Sequence, residues 1–240
     1  MRRTAVHSLV ILACVISVHC GGSSDATSTA PSSATGGTTG TGSSGGSAPV
    51  ASDTVRNTSE VTDSRFDDGD WDDIVETYGA TGSGGGGHLS FNGQAGADYR
   101  QISIRINTGG SDAKLAVFAV NRRAVHFPST DGALLWVDYS EASINQAASL
   151  QYSAPAIRQN GKLYTLVPGA GAIAAAEGSW TDHALTHLTQ NDFRTIGSAT
   201  EHPDFSKSGG RMEFGFMRLQ VGQGDTKGGI DNYRLVLYRN

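Results

Sequence analysis

Beyond residue 53 the hydrophobic and polar positions of the chain alternate mostly with period two. In "DYRQISIRIN", Ile102, Ile104 and Ile106 fall on one face and Gln101, Ser103 and Arg105 on the other, which predicts a half-buried strand. "RMEFGFMRLQV" places Met212, Phe214 and Phe216 together, and "DNYRLVLY" does the same with Tyr233, Leu235 and Leu237. "AKLAVFAVNRRAVHF" reads as a more buried strand, a turn near Asn121–Arg123 and a second short strand. "GALLWVDYS" and "GKLYTLV" add two more, and clusters such as "NTGGSD", "QNGK", "KSGG" and "GQGDTKGG" punctuate the runs. Helical signal is thin: "SEASINQAAS" and "WTDHALTHLTQNDF" each predict at most a turn or a short helix. Many short strands separated by turn signals predict an all-β fold, a two-sheet β-sandwich of the jelly-roll kind.

The first residues follow other rules. "MRRTAVHSLVILACVISVHC" has two arginines, a short apolar run and a cysteine, the pattern of an export signal over 1–20. The chain has two cysteines, Cys14 and Cys20, both in this segment, so the rest can form no disulfide. The segment resembles a bacterial lipoprotein signal, which implies lipidation of a cysteine. Cys20 is the expected site, because it has a normal signal length before it and "GGSS" after it, and Cys14 is the alternative frame. Simple secretion without a lipid is the other reading. Residues 21–52 are rich in Gly, Ser and Thr and bury nothing, so they predict a flexible linker spanning about 30 Å. Residues 53–240 have the size of one domain. With 23 acids against 18 bases and no basic run, the chain is not expected to bind nucleic acid, and the membrane enters only through the N-terminal lipid.

Candidate chemistry is sparse. "DDGDWDD" places Asp68, Asp70 and Asp72 at alternate positions like the start of an EF-hand loop, but Asp73 and Gly79 stand where that loop needs Gly and Glu. "GSGGGGH" lacks the Lys-Ser/Thr of a phosphate loop and reads as a flexible loop. His183 and His187 would share a helix face at a spacing that zinc sites use, yet no Glu completes the metalloprotease pattern. No G-x-S-x-G nucleophile motif occurs, and no pair of acids is singled out for glycoside hydrolysis. Trp71 and Trp180 read as core. Trp136 alternates with Leu134 and Asp138 with its facing open, and is the candidate sugar-binding ring.

Three stretches carry a resemblance. "SRFDDGDWDDI", "GSWTDHALTHLTQNDF" and "GGIDNYRLVLY" stand in the order seen in galactose-binding-like jelly rolls of secreted or surface-anchored bacterial proteins, similar to carbohydrate-binding modules. "LLWVDYSEASI", "APAIRQNGKLY" and "HPDFSKSGGRMEFGFMRL" extend the likeness over residues 66–238 to a recurrent domain of such proteins. The resemblance implies a structural calcium between the first and last strands, with Asp67, Asp68 and Asp231 as candidate ligands; the alternative is that all three are solvated or cap turns. Carboxylates brought together at a sandwich edge repel unless a cation or proton intervenes, and calcium accepts irregular sets of oxygen ligands. The expected function is a non-catalytic surface or secreted module that binds carbohydrate, with a polysaccharide as partner. A polysaccharide-degrading hydrolase or lyase and a structural protein-contact domain are the alternatives.

Overall fold

The structure, a computed structural model, describes residues 54–90, 98–146, 150–169 and 171–240. The export signal with Cys14 and Cys20, and the linker, lie outside the described residues. Ten strands run β1 (Asn57–Asp63), β2 (Trp71–Ser90), β3 (Asp98–His126), β4 (Leu134–Asn145), β5 (Gln151–Gln159), β6 (Lys162–Thr165), β7 (Ile173–Ala174), β8 (Thr181–Leu188), β9 (Met212–Val221) and β10 (Gly224–Arg239). Their ladders are antiparallel and form one continuous sheet, β6-β5-β9-β3-β10-β4-β8, with β1 on β10, β2 on β3 and β7 on β5.

The sheet folds over on itself along β3. The first half of β3 pairs with β10, from Arg100 to Ile106, and the second half pairs with β9, from Lys114 to His126. Strands that are not neighbours in the sheet therefore touch through their side chains. Trp71 meets Tyr233 edge-on at 5.2 Å, Phe216 lies 6.5 Å from Tyr233, and Ser153 on β5 donates to Glu141 on β4. The result is a β-sandwich, as the alternation predicted. Ile102, Ile104, Ile106, Phe214, Phe216, Tyr233, Leu235 and Leu237 are all buried between its layers.

Several local expectations are corrected. Asn121–Arg123 is not a turn between strands but an irregularity inside β3, where the register against β9 shifts between Val120 and Val125. "SEASIN" completes β4, and "TDHALTHL" is β8, followed by a short 3-10 turn at Gln190–Asp192. His183 and His187 therefore lie on a strand, and His187 sits at a register shift with φ +58°. "GSGGGGH" is not a flexible loop: it is the second half of β2, paired with β3. A Cβ on Gly84 would stand 2.6 Å from Val117 Cγ2, and one on Gly86 2.5 Å from Ile102 Cδ1, whereas Gly85 and Gly87 face open space. Gly84 thus lets the layer that carries Val117 approach closely, and Gly86 makes room for the side chain of its own cross-strand partner Ile102.

Asp231 does not open the last strand. It sits within β10 at a bulge, with Asn232 at φ +52°, a left-handed conformation that Asn tolerates better than most residues. The bulge separates two pairings: through Ile230 the strand pairs with β3, and from Tyr233 it pairs with β1.

Candidate functional site

Cross-strand partners share a face, so the registers define the side of β2-β3-β9-β5 that is turned away from the inter-layer core. From β2 come Asp72, Ile74, Glu76 and Tyr78, opposite Val120, Phe118, Ala116 and Lys114 of β3. Lys114 stands beside Val221, Leu219 beside Tyr152, and Glu213 beside Arg158. The two ends of this face differ.

At one end the charges close on each other. Arg122 Nε donates to Asp72 at 3.1 Å, Arg158 Nη2 lies 3.9 Å from Asp72, and Arg158 and Arg211 both bind Glu213. The hydrogen bond from Arg122 lowers the Asp72 pKa, and that from Arg158 lowers the Glu213 pKa, each against a desolvation penalty.

At the other end lies a hollow of about 550 Å³ lined by Lys114, Tyr152, Val167, Pro168, Leu219 and Val221 and by the segment from Arg194 to Ala199. The volume falls in the range of small-molecule sites, roughly 300–1,000 Å³. Its floor is strand and one wall is a connection, pinned where Thr165 and Arg194 exchange backbone hydrogen bonds at 2.9 and 3.0 Å. Tyr152 offers a half-buried ring, and Thr195 and Ser198 bring hydroxyls. A second hollow of about 390 Å³ on the other layer lies among Ser83–Gly85, Ser103–Arg105 and Asp225–Lys227. It has no aromatic ring, and its Arg105 is closed by two 2.7 Å bonds to Asp225.

The sequence-selected residues lie elsewhere. Trp136 is half-buried on the outward side of β4, stacked on His187 of β8 at 4.3 Å and on Tyr238 of β10 at 4.9 Å. β4 lies between β8 and β10, so both faces of the indole are occupied and its edge is what remains for a ligand. Trp71 is core, as expected, and Asp63 accepts from its indole Nε1 at 2.9 Å. Trp180 is not core: it is 38% exposed and meets Tyr99 edge-on.

Asp68 is held by Arg100 Nη1 at 2.9 Å and by the backbone N–H of His88 at 3.0 Å. The His88 bond is the first cause that lowers its pKa. Arg100 is buried, reaches Asp73 with its other nitrogen at 2.9 Å and pairs with Ile230 of β10. It thereby sets a positive charge against the acidic opening segment beside the closing strand. Asp67 is exposed, and its carbonyl accepts from the Asp70 N–H in the turn before β2. Asp231 is half-buried and accepts from the Asn232 N–H at 2.6 Å. Burial raises its pKa, and the charge of Asp98 adds to the rise. Among the described residues no three Asp, Glu, His or Cys side chains gather into one group.

Sequence reasoning missed Tyr152, Lys114 and Arg194, because they come from three distant stretches that only the register joins. The one available signal was the alternation of "QYSAPAIR", which sets Tyr152 and Arg158 on one face around small Ala154 and Ala156.

No protein-family model matches the chain, and no curated protein does. Solved structures do. The family 11 carbohydrate-binding module of the cellulosomal cellulase Lic26A-Cel5E of Clostridium thermocellum is 12% identical, over 75% of this chain and 95% of that one, with a TM-score of 0.44. The CBM22-1 xylan-binding domain of Xyn10C from Paenibacillus barcinonensis is 13% identical, over 75% and 94%, at 0.35. The mannan-recognising module TmCBM27 is 10% identical, over 77% and 99%, at 0.37.

Proposed function

We propose that this β-sandwich is a non-catalytic module that binds carbohydrate in the hollow at Tyr152. The observation that carries the reading is the composition of that hollow on a sheet floor: one aromatic plate, apolar Val167, Pro168 and Leu219, and the hydroxyls of Thr195 and Ser198. A sugar ring presents C–H groups to an aromatic face and hydroxyls to polar neighbours, and a tyrosine offers an apolar body with a polar tip. Rigid strands hold such contacts at small entropic cost. Titration calorimetry of the chain against a panel of neutral and acidic polysaccharides tests this. Tyr152→Ala is expected to weaken binding at least tenfold, with no release of reducing sugar by either protein. Absence of binding across the panel overturns the module. Sugar release abolished by changing one acid replaces it with a hydrolase or lyase.

A structural calcium held by Asp67, Asp68 and Asp231 remains a proposal, and Asp231 is the residue that tests it. What supports it is a half-buried carboxylate whose ionisation is opposed by burial and by Asp98, a conflict that a bound cation relieves. Asp68 already has Arg100. Metal-stripped protein should melt higher in calcium than in chelator, and Asp231→Asn should lose the difference. Equal melting in both ends the idea.

The N-terminal sequence supports export and a lipid on Cys20, which would present the module on a membrane surface. Mass spectrometry of the native N-terminus tests it, and an unmodified terminus beyond Gly22 overturns the anchor.

A further inference from the structure

We infer that the saccharide taken by the hollow at Tyr152 is anionic, a polymer carrying carboxylate or sulfate groups that face Lys114 and Arg194. The inference rests on the carbohydrate reading above and adds the ligand's charge.

Two cations line the hollow, and no Asp or Glu does among the described residues. Among the described residues neither Lys114 nor Arg194 takes part in an ion pair. Arg194 Nε is buried and has no hydrogen-bond partner among them. The arrangement runs against the chain's own balance, which is a net charge of −5. It also runs against the opposite end of the same face, where Arg122, Arg158 and Arg211 are each closed by Asp72 or Glu213.

Both side chains are half-buried. A partly desolvated cation without a counter-charge loses hydration that nothing in the protein replaces. An anionic ligand restores it, and a partly enclosed pair is screened by salt less than an exposed one. Arg194 suits the role for a second reason, because a guanidinium presents its N–H groups in a planar fork that matches planar oxyanions. Tyr152 and Leu219 would then carry the apolar face of the sugar while the two cations select its charge.

Matched polymer pairs that differ only in charge provide the test: polygalacturonate against its methyl ester, and dextran sulfate against dextran. At least one charged member is expected to bind about tenfold tighter than its neutral partner, and which pair responds separates carboxylate from sulfate recognition. Lys114→Gln and Arg194→Gln should each remove about threefold of that preference while leaving the melting temperature near wild type. Lys114→Arg should retain the preference. Equal affinity for charged and neutral members in both pairs, or a preference untouched in Lys114→Gln and Arg194→Gln, overturns the inference. Neutral binding lost in Tyr152→Ala but indifferent to both cations leaves the module standing and removes only the charge. Failure of every polymer to bind removes both.

Discussion

The inward side of β9 changes character halfway along. Met212, Phe214 and Phe216 face an apolar region built with Phe66, Trp71 and Tyr233, whereas Arg218 and Gln220, next on the same side, face a polar one. Both regions are buried. In the first, Trp71 packs within 5.6 Å of three aromatic rings, and its one polar atom donates to Asp63. In the second, Glu141 accepts from Tyr139 and from Ser153 at 2.8 Å. Arg218 donates to the Gly229 carbonyl, and Gln151, Thr226 and Gln220 form a chain of bonds at 2.8 Å. Even so, Arg218 Nε and Nη1, Glu141 Oε1, Ser143 Oγ and Gln151 Oε1 have no hydrogen-bond partner among the described residues, the kind of groups that ordered water serves. Burial lowers the Arg218 pKa, and the charges of Glu141 and Tyr139 oppose the fall. The apolar region drives folding through area removed from water. The polar region stabilises little on balance and instead penalises any other register, since a shift would leave a charge alone.

The largest test of this contrast removes Trp71. Trp71→Ala should cost about 3–5 kcal/mol in denaturant unfolding, the range for emptying a large aromatic site, with Asp63 left short of one donor. A loss below about 1 kcal/mol would show that the apolar region is not what holds the layers together. Next comes the polar region. Arg218→Met should cost about 3 kcal/mol, because Glu141 then stays buried with two hydroxyls and no cation. Adding Glu141→Gln should recover part of that loss, so the double variant falls short of the sum of the singles by about 1 kcal/mol or more. Strict additivity would mean that Arg218 and Glu141 do not sense each other.

The same contrast explains what the sequence could convey. Where inward residues are apolar, as in Ile102–Ile106, Met212–Phe216 and Tyr233–Leu237, period two is plain, and those strands are legible. β4 ends in Glu141, Ser143 and Asn145, all buried, so a polar inner face disguised a strand as a turn or helix. β8 is an edge strand with no fully buried residue, and its alternation carries little hydrophobic contrast. The hollow was illegible for another reason, since its members meet only through ladders spanning sequence gaps of dozens of residues. The partner of the acidic opening, Arg100, was illegible because it lies on a strand whose neighbour cannot be known before the topology is.

The glycines of β2 sharpen the comparison at intermediate size. Gly84→Ala should cost about 2 kcal/mol, because its Cβ would collide with Val117 in the core. Gly85→Ala, one residue along and facing open space, should be neutral or stabilising by up to about 1 kcal/mol through the unfolded chain. Equal costs would mean that close approach of the layers is not what the glycines serve.

The smallest expected effect comes from a polar group on the apolar side. His126 pairs with Met212, is 1% exposed, and holds Nδ1 at 3.4 Å from Asp131. Burial lowers its pKa, with the charge of Asp131 opposing. The sign follows from proton counts. Above pH about 7 the imidazole is neutral in both states and contributes no slope. As pH falls through about 6.5 the unfolded chain takes up a proton that the folded chain still refuses, and stability declines until the folded-state pKa is passed. The slope from one such group cannot exceed about 1.4 kcal/mol per pH unit, and Asp131 keeps it below that limit. Unfolding free energy measured between pH 7 and 5 should therefore fall less steeply in His126→Gln than in wild type. A slope unchanged by His126→Gln would place the acid sensitivity elsewhere, among exposed carboxylates such as Asp225, whose low pKa is set by the hydrogen bond from Arg105.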